Sequence, residues 1–238
     1  MVYHMVANSD ISTGTKNPMI DFNNTFKTTF NILECMRKNN ITKIFFPSTS
    51  AIYGDTKELI TELSVREPCS LYGAAKLSSE AYLSAYCHLY GIQAWVLRLA
   101  NVIGPRSTHG VIFDFIKKLE ANPDSLQVLG DGNQKKPYIH VHDLVNCILY
   151  ICKNSSDLVN DFNVAPKDTT SVREIAELVV SEFSPNASIQ YEDKETGWAG
   201  DVTYYNYDIS KISSIGWKAV PNSLDAVTKA IKDLKKSK

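Results

Sequence analysis

A tyrosine and a lysine stand four positions apart at Tyr72 and Lys76, and apolar residues follow them at helix-like intervals. Side chains four apart lie on one face of a helix. A free phenol has a pKa of about 10, so only roughly 0.1% of it is phenolate at neutral pH. An ammonium group held beside the ring stabilises the phenolate and lowers that pKa. The pair therefore predicts a tyrosine that acts as a base near neutral pH.

The same spacing occurs again at Tyr207 and Lys211. Spacing alone does not separate a catalytic pair from two neighbours on a helix surface. The first pair is distinguished by what precedes it, because residues 42–47 have the pattern of a buried strand and run into the hydroxyl-rich segment 48–54. Open α/β sheets present ligand-binding groups at the carboxyl ends of their strands. Nothing comparable precedes Tyr207, so we interpret the second pair as an ordinary one.

Strand and helix patterns alternate along the chain and predict an α/β fold. Strands are expected over 1–7, 42–47, 93–98, 126–129 and 162–165, and helices over 18–36, 71–90, 110–119, 144–151 and 171–183. Several residues are expected to mark helix ends. Pro18 should open a helix, Gly91 should end one, and Ser171 with Glu174 should form a capping box. Asp208 and Asn222 should cap two further helices near the end of the sequence.

Composition excludes several classes of function. The 25 basic and 26 acidic side chains give a formal net charge of −1, so nucleic acid is not an expected partner. No apolar run approaches the ~18 residues of a membrane span, and the first residues lack a signal-peptide pattern. Five cysteines without a C-x-x-C motif are typical of reduced thiols in a cytoplasmic protein. His140 and His142 have no third ligand at a suitable spacing, so no metal site is expected.

Further motifs accompany the Tyr72/Lys76 pair along the chain. They are Ser48–Gly54, Leu97–Pro105, Leu129–Gly132, Tyr138–Asp143 and Gly197–Asp201. With these motifs the chain resembles the extended short-chain dehydrogenase/reductase family, specifically its NAD-dependent nucleotide-sugar epimerases and dehydratases. The resemblance extends over nearly the whole chain, in the family's order and spacing. It implies a Rossmann-type, doubly wound parallel sheet, NAD as cofactor and a nucleotide sugar as substrate.

The resemblance also implies two domains. Residues 1–105 and 139–166 match the carboxyl-terminal part of the NAD-binding Rossmann-like domain, and residues 106–138 and 167–238 match a smaller α/β substrate domain. The family's first three strands have no counterpart, so the expected sheet is truncated by ~60 residues. Residues 2–7 are then expected to form an apolar sheet edge, which tends to pair with another chain.

The missing part includes the Gly-rich turn that approaches the pyrophosphate of NAD. Gly130 and Gly132 form the only Gly-x-Gly in the sequence, and Lys135 stands where a third glycine is needed. They lie in a turn between apolar stretches and precede no helix. We therefore expect the catalytic end of the family without its usual clamp for NAD.

The resemblance implies that Tyr72, Lys76 and Thr49 are catalytic. Tyr72 as phenolate removes the C4 hydroxyl proton, Lys76 holds the ribose and lowers the pKa of Tyr72, and Thr49 bonds the reacting oxygen. Tyr72 and Lys76 also bind the cofactor, and Asn24, Ala7 and Pro47 are implied as further cofactor-binding residues. For Asn24 the alternative is a polar residue on an exposed helix face.

Substrate contacts are implied at Thr49, Ser50, Asn101, Lys136 and Val128. Asn101 matches an asparagine that contacts the substrate diphosphate, and a turn-forming asparagine is the alternative. Lys136 stands where many relatives have an arginine and supplies a point charge instead of a bidentate fork. Val128 lies on a strand that flanks the nucleotide base in the family. Ser50 has the alternative of capping the turn at the strand end.

The implied reaction is inversion at C4 of a nucleotide sugar of the UDP-glucose/UDP-galactose type, through a transient 4-keto intermediate. Dehydratases of the family carry Thr-Asp-Glu where this chain has Thr49, Ser50 and Ala51, which favours epimerisation. One alternative is another nucleotide-sugar reaction, by a dehydratase or reductase. The other is a catalytically silent homologue that binds a nucleotide sugar or a partner chain. The helices over 17–39 and 71–90, through which the family dimerises, predict a homodimer.

Overall fold

The computed structural model describes residues 1–193, 205–218 and 222–236, which form an α/β structure. In chain order the described elements are β1 (Val2–Tyr3), α1 (Ile11–Lys16), α2 (Pro18–Asp21), α3 (Thr28–Lys38), β2 (Lys43–Thr49), α4 (Leu71–Tyr90), β3 (Gln93–Leu99), β4 (Asn101–Ile103), α5 (Val111–Ala121), β5 (Ser125–Val128), β6 (Lys135–Lys136), β7 (Tyr138–His140), α6 (Val141–Asn154), β8 (Val159–Val164), β9 (Thr170–Ser171), α7 (Val172–Phe183), β10 (Ser188–Tyr191), α8 (Ser210–Ser214) and α9 (Ser223–Lys236).

The chain divides into two compact units. The first contains residues 1–99, 147–164 and 206–218, and the second contains residues 100–146 and the described parts of 165–205 and 219–238. These bounds differ from the predicted domain bounds chiefly at residues 139–146 and 206–218. The assignment of the two units to cofactor and substrate remains a prediction.

The sheet of the first unit has the order β1-β2-β3-β8, and every neighbouring pair is parallel. Adjacent side chains of β2, Phe45 and Phe46, point to opposite faces, and both are fully buried. Both faces of the strand are therefore covered, which explains its continuous apolar sequence. This parallel α/β sheet confirms the predicted fold class.

The first strand is shorter and more exposed than the sequence predicts. A buried strand was expected over 1–7, but β1 covers only Val2–Tyr3, and the last backbone bond runs from His4 N–H to Phe45 O at 3.0 Å. The side chains of Tyr3, Met5 and Val6 are exposed. The reason is that β1 lies at the edge of the described sheet and has a neighbour on one side only.

The helix that Pro18 opens is not regular along its length. Asn17 caps its start by accepting the Met19 N–H at 3.2 Å, as a residue before proline at the first helical position can. Between α2 and α3 the chain widens into a π-helical stretch, Phe22–Lys27, where the apolar stripe predicted ordinary helix. Such stretches are rare and often lie at functional sites.

The second unit has its own core. The strand pairs β5/β10 and β4/β7 are parallel and β6/β9 is antiparallel. Helices α5, α7 and α9 contribute buried apolar side chains that pack together with those of β5 and β7. The predicted capping box is confirmed, because Ser171 and Glu174 bond each other's backbone N–H. Asn222 likewise accepts the Asp225 N–H at 2.7 Å at the start of α9.

Candidate active site

The site begins where β2 ends. Thr49 is the last residue of β2, and its hydroxyl accepts the Ala51 N–H at 3.2 Å, which starts a single 3₁₀ turn over Ser50–Ile52. Ser50 is buried in this turn, consistent with the alternative that it serves the strand-end turn. The side chain of Thr49 is therefore held at the carboxyl end of a buried parallel strand, where such sheets bind ligands.

The start of α4 lies against this turn. Ser70 caps the helix by accepting the Gly73 N–H at 3.1 Å. A Cβ on Gly73 would lie 2.4 Å from Ala51 O, so only glycine permits this approach. The close packing places the neighbouring side chain, Tyr72, close enough to Thr49 for the Thr49 hydroxyl to act on the pKa of Tyr72. The structure thus joins the two residues that the sequence assigned to the reacting oxygen.

Lys76 is one turn further along α4 and points into the same region. It is 3% exposed, and its Nζ donates to Pro47 O at 2.7 Å. The same nitrogen lies 4.6 Å from the centre of the Phe46 ring, which is a cation–π distance. Burial lowers the pKa of Lys76 to about 8, although the Glu80 carboxylate opposes this shift. Pro47, predicted to bind cofactor, therefore contacts Lys76 through its carbonyl.

The pKa of Tyr72 moves opposite to the prediction. Burial raises the pKa of Tyr72 above its ordinary value, the Thr49 hydroxyl counteracts this shift, and the Asp21 carboxylate raises the pKa further. The predicted lowering by Lys76 is not found, because the ammonium is directed at Pro47 O. Desolvation of the phenolate outweighs the stabilisation that a lysine four residues away was expected to provide. At neutral pH Tyr72 is thus a protonated hydrogen-bond donor.

The other predicted cofactor residues lie in the same unit. Ala7 is half-buried just after β1, and the next residue, Asn8, donates its N–H to the Thr25 hydroxyl at 3.0 Å. That bond ties the segment to the π-helical stretch, which contains Asn24 and packs against α4. The Asn24 side chain is exposed, which its alternative as a surface residue also predicts. The role of both residues stays a prediction.

The predicted substrate residues Asn101, Lys136 and Val128 all lie in the second unit. Asn101 is exposed on β4, and its N–H donates to Pro137 O at 3.2 Å, which places it beside Lys136 on the adjoining chain. Val128 is fully buried in the core of this unit. Its side chain therefore serves packing, and any contact with a nucleotide base must come from its backbone.

The residues at the end of β2 carry donor groups of the kind that the ribose of NAD requires. Ser48 supplies a buried hydroxyl without a hydrogen-bond partner in the described chain, close in sequence to the Thr49 hydroxyl and the Pro47 carbonyl. Thr49, Tyr72 and Lys76 provide a hydroxyl, a phenol and an ammonium, which are groups suited to ribose and reacting hydroxyls. Among the residues that the structure describes, no comparable set is found for the pyrophosphate. Gly130 and Gly132 have positive φ in the turn after β5, and a Cβ on Gly132 would lie 2.7 Å from the Tyr191 ring, so this turn packs on its own unit.

The sequence did not predict a buried ion pair between α4 and β3. Arg98 on β3 contacts both carboxylate oxygens of Glu80, at 3.2 Å and 2.9 Å, and both side chains are buried. Two signals were available, since Arg98 interrupts an apolar strand and Glu80 follows Lys76 by one helical turn.

The sequence indicated only part of a second cluster of titratable side chains. Lys229 Nζ lies 2.9 Å from His140 Nδ1 and 3.3 Å from His142 Nδ1 in the second unit. Asp233 lies 3.2 Å from His140 Nε2. Burial, Lys229 and His142 lower the pKa of His140. Over residues 1–193, 205–218 and 222–236 there is no group of three or more side chains arranged to hold a metal ion.

Two other findings bear on the sequence predictions. The motif Gly197–Asp201 lies outside the described residues. Among the helices that are described, none combines the length and the apolar character that crossing a membrane requires.

Comparison with known proteins defines the class. Residues 1–165 match the model of the NAD dependent epimerase/dehydratase family. The chain therefore belongs to this family, which confirms the resemblance seen in its motifs. Over 224 residues it is 33% identical to a putative UDP-glucose 4-epimerase of Methanocaldococcus jannaschii, and the match covers 92% of this chain and 71% of that protein.

Solved structures give the same class. A UDP-galactose 4-epimerase superposes with a TM-score of 0.89 at 34% identity, covering 99% of this chain and 77% of that one. The UDP-glucose 4-epimerase of Thermus thermophilus, solved in complex with NAD, superposes with a TM-score of 0.85 at 26% identity, covering 98% of this chain and 77% of that one. Similar proteins are thus epimerases of UDP-sugars, and one of them binds NAD.

Proposed function

We propose that the protein epimerises a nucleotide sugar at C4, of the UDP-glucose/UDP-galactose type, with NAD as cofactor. The observation that carries the proposal is the buried Lys76, whose Nζ donates to Pro47 O at the carboxyl end of β2, with Thr49 at the end of the same strand and acting on the pKa of Tyr72. These are the hydroxyl, phenol and ammonium groups that proton exchange at a sugar hydroxyl requires. Names of the similar proteins support the class of substrate.

Each of the three side chains has a separate task. Tyr72 exchanges a proton with the C4 hydroxyl, Thr49 bonds the same oxygen and orients it, and Lys76 donates to ribose hydroxyls. NAD, when bound, supplies the acceptor and donor of the C4 hydride and brings a positive ring charge into the site. A positive charge next to the phenol lowers its pKa, which the half-buried Tyr72 needs before it can act as a base.

In the second unit, Asn101 and Lys136 supply an amide and an ammonium for the substrate diphosphate. Their backbones adjoin through the bond from Asn101 N–H to Pro137 O. A lysine is a point charge on a flexible stem, so it holds a diphosphate less rigidly than an arginine does. Dehydration is less well supported, because Ser50 and Ala51 stand where an eliminating enzyme needs carboxylic acids. Reduction of another nucleotide sugar is a further alternative, and only the product of the reaction distinguishes it from epimerisation.

A second candidate is a catalytically silent protein that binds a nucleotide sugar or a partner chain. The observation that favours it is the exposed edge at β1, where Tyr3 and the following Met5 and Val6 are open to solvent. An exposed apolar edge pairs readily with another strand. In that case the site residues remain while the cofactor is not held.

We also propose a homodimer through the helices at 17–39 and 71–90. Phe22 and Phe30 are exposed on the first of these and Tyr82 on α4. Phe26 and Tyr82 stack edge to face at 5.0 Å between ring centres. A contiguous exposed aromatic surface is typical of an interface. Light scattering should give twice the chain mass, and a monodisperse monomer would contradict the dimer.

The first experiment is titration of NAD⁺ into the purified chain by calorimetry, with thermal unfolding measured alongside. Micromolar binding that Lys76→Met abolishes, followed by interconversion of UDP-glucose and UDP-galactose, supports the proposal. Product analysis with other UDP- and dTDP-sugars separates epimerisation from reduction or dehydration. A folded protein that binds no NAD⁺ at millimolar concentration refutes it and leaves the silent homologue.

A further inference from the structure

The polarity of the sheet face under α4 changes abruptly along the strands. β2 and β3 pair in register, so Phe46 is beside Val96 and Ser48 is beside Arg98. Alternate residues of a strand share a face, so all four side chains point to the side that α4 covers. Phe46 and Val96 pack in the apolar core together with α4. Arg98 therefore places a charge directly beside an apolar core, where it needs a partner.

Glu80 on α4 is that partner. Arg98 Nε lies 3.2 Å from each carboxylate oxygen of Glu80, and Nη2 lies 2.9 Å from Oε2. Both oxygens are thus bonded by one guanidinium. Arg98 is 2% exposed and Glu80 is 7% exposed, so water does not compete for the pair. Such a pair is hard to break, because either partner left alone is an uncompensated buried charge.

The rest of the guanidinium is fixed as well. Nη1 of Arg98 donates to Tyr53 Oη at 3.1 Å and to Glu62 O at 3.2 Å, and lies 3.1 Å from Asp161 Oδ2. Tyr53 in turn donates to Asn163 Oδ1 at 2.8 Å. These contacts join β3 to β8 and to the loop that follows β2. Arg98 therefore cannot follow Glu80 if the carboxylate turns elsewhere.

Lys76 is a second cation with which Glu80 interacts electrostatically. The two are four residues apart on α4, the spacing at which a lysine and a glutamate pair on a helix. Glu80 acts electrostatically on Lys76, yet the ammonium donates its hydrogen bond to Pro47 O. Lys76 is thus directed at the end of β2 although a carboxylate lies one turn away.

We propose that Arg98 is a positioning residue, which occupies both oxygens of Glu80 and so keeps the Lys76 ammonium directed at the carboxyl end of β2. The ribose-binding task of Lys76 rests on the proposed function, but the arrangement of the three charges does not. Without Arg98, the carboxylate of Glu80 turns to Lys76 and draws it away from Pro47 O. Arg98 itself touches neither substrate nor cofactor.

The test measures the titration of Lys76 in the whole 238-residue chain. Lysine labelled with carbon-13 at Cε is incorporated, the Lys76 signal is assigned with Lys76→Arg, and its midpoint is followed by NMR above pH 6. His4, Tyr72 and Glu80 are the other titratable groups that act on or adjoin Lys76. Arg98→Met is expected to raise the midpoint by at least about one pH unit, a tenfold change in proton affinity, because a carboxylate now pairs with the ammonium.

A matched variant separates this mechanism from a general loss of positive charge. In the Glu80→Gln background, Arg98→Met should move the Lys76 midpoint by less than about a third of that change, because no carboxylate is released. If Arg98→Met does not fold, Arg98→Lys keeps the buried charge but covers one oxygen only, and a smaller rise is expected. Lysine signals of the second unit serve as controls for changes that are not local to Lys76.

The outcomes are distinct. An unchanged Lys76 midpoint in a folded Arg98 variant overturns the proposal, and so does an equal rise in the Glu80→Gln background. Neither result depends on sugar or NAD, so a protein without turnover still tests it. Conversely, a confirmed shift in a chain that binds no NAD⁺ refutes the proposed function and leaves the positioning role standing.

Discussion

The two tyrosine–lysine pairs share a spacing and differ in everything around it. Tyr72 and Lys76 lie on one helix of twenty residues, and Lys76 is 3% exposed against the sheet. Tyr207 precedes α8 and forms an isolated bridge with Ile60, and the Lys211 side chain is 45% exposed. The second pair is therefore not an (i, i+4) pair on a helix at all. Spacing indicates chemistry only where one helix carries both residues to the end of a strand.

The two lysines also differ in their partners. Lys211 forms an ion pair with Asp161, whose pKa is held low by Lys211 and Arg98 although burial pushes it up. Lys76 has a carbonyl and an aromatic face instead. An ammonium paired with a carboxylate is neutralised, whereas one that bonds a carbonyl keeps its charge and further N–H groups for a ligand. The difference agrees with a surface contact at Lys211 and with the proposed ligand-binding task of Lys76.

The largest expected difference between the pairs is in turnover. Tyr72→Phe removes the proton-exchanging oxygen and should lower C4 epimerisation by about 10³-fold. Tyr207→Phe should leave the rate within about twofold, because its ring serves packing. Both rates are measured on UDP-glucose and UDP-galactose, with circular dichroism to check folding. Tyr72→Phe with full activity would remove Tyr72 from the mechanism.

The next effect is on stability in acid and concerns a histidine beside Lys76. His4 is buried, and its Nε2 is 2.9 Å from Thr29 Oγ1. Burial and Lys76 lower its pKa from 6.5 to about 4. Between pH 6.5 and pH 4, His4 therefore binds a proton in the unfolded chain but stays neutral in the folded chain. The contribution of His4 to stability should therefore be constant above pH 6.5 and fall by up to about 3 kcal/mol between pH 6.5 and pH 4.

Urea unfolding at a series of pH values measures this slope. His4→Gln can still donate to Thr29, and it should reduce the pH slope of the free energy of unfolding by the contribution of one proton. His109→Gln is the control, because that ring is exposed in the second unit and its loss should leave the slope as it is. An identical acid slope in the His4 variant would show that another group carries it.

A third effect tests the packing that joins Tyr72 to Thr49. Gly73→Ala places a methyl group 2.4 Å from Ala51 O, so the start of α4 must move away. Overpacking of this kind costs about 1–3 kcal/mol, and turnover should fall with it because the hydroxyl pair separates. Gly91→Ala at the other end of α4 meets nothing within 4 Å and strains only its positive φ of 65°. It should cost about 1 kcal/mol and leave turnover unchanged.

The sequence predicted the elements around the site well where local signals agree. Residues 71–90 were expected as helix and are α4, because a cap, an apolar periodicity and Gly91 all indicate the same bounds. The strand expected over 42–47 is β2, two residues longer at its end. The family resemblance supplied the roles of Tyr72 and Thr49, and those roles remain predictions.

What the sequence did not predict depends on tertiary surroundings. The length of β1 depends on which strands adjoin it, and the π-helical stretch depends on packing against α4. The Arg98–Glu80 pair joins a strand to a helix eighteen positions away, and no local pattern requires it. The raised pKa of Tyr72 follows from burial, which spacing does not reveal. Each of these is a contact between elements.

The smallest expected effect is on stability, and it has opposite signs at Lys76 and Lys211. Lys76→Met replaces a buried ammonium, whose pKa of about 8 shows that its charge is disfavoured, with a side chain of similar shape. The desolvation penalty of the buried ammonium is larger than the contribution of its hydrogen bond to Pro47 O. Removing both should therefore raise the free energy of unfolding by about 1–2 kcal/mol, while NAD⁺ binding is lost.

Lys211→Met is the matched substitution at the other pair. It removes an exposed ion pair, and Asp161 keeps its contact with Arg98 Nη1 at 3.1 Å, so the fold should lose less than about 1 kcal/mol. High salt should shrink this loss, because exposed charges are screened, and should leave the gain at Lys76 unchanged. Denaturant midpoints of both variants at low and high salt measure the contrast. Two losses of equal size would mean that Lys76, like Lys211, is held for stability and not for a ligand.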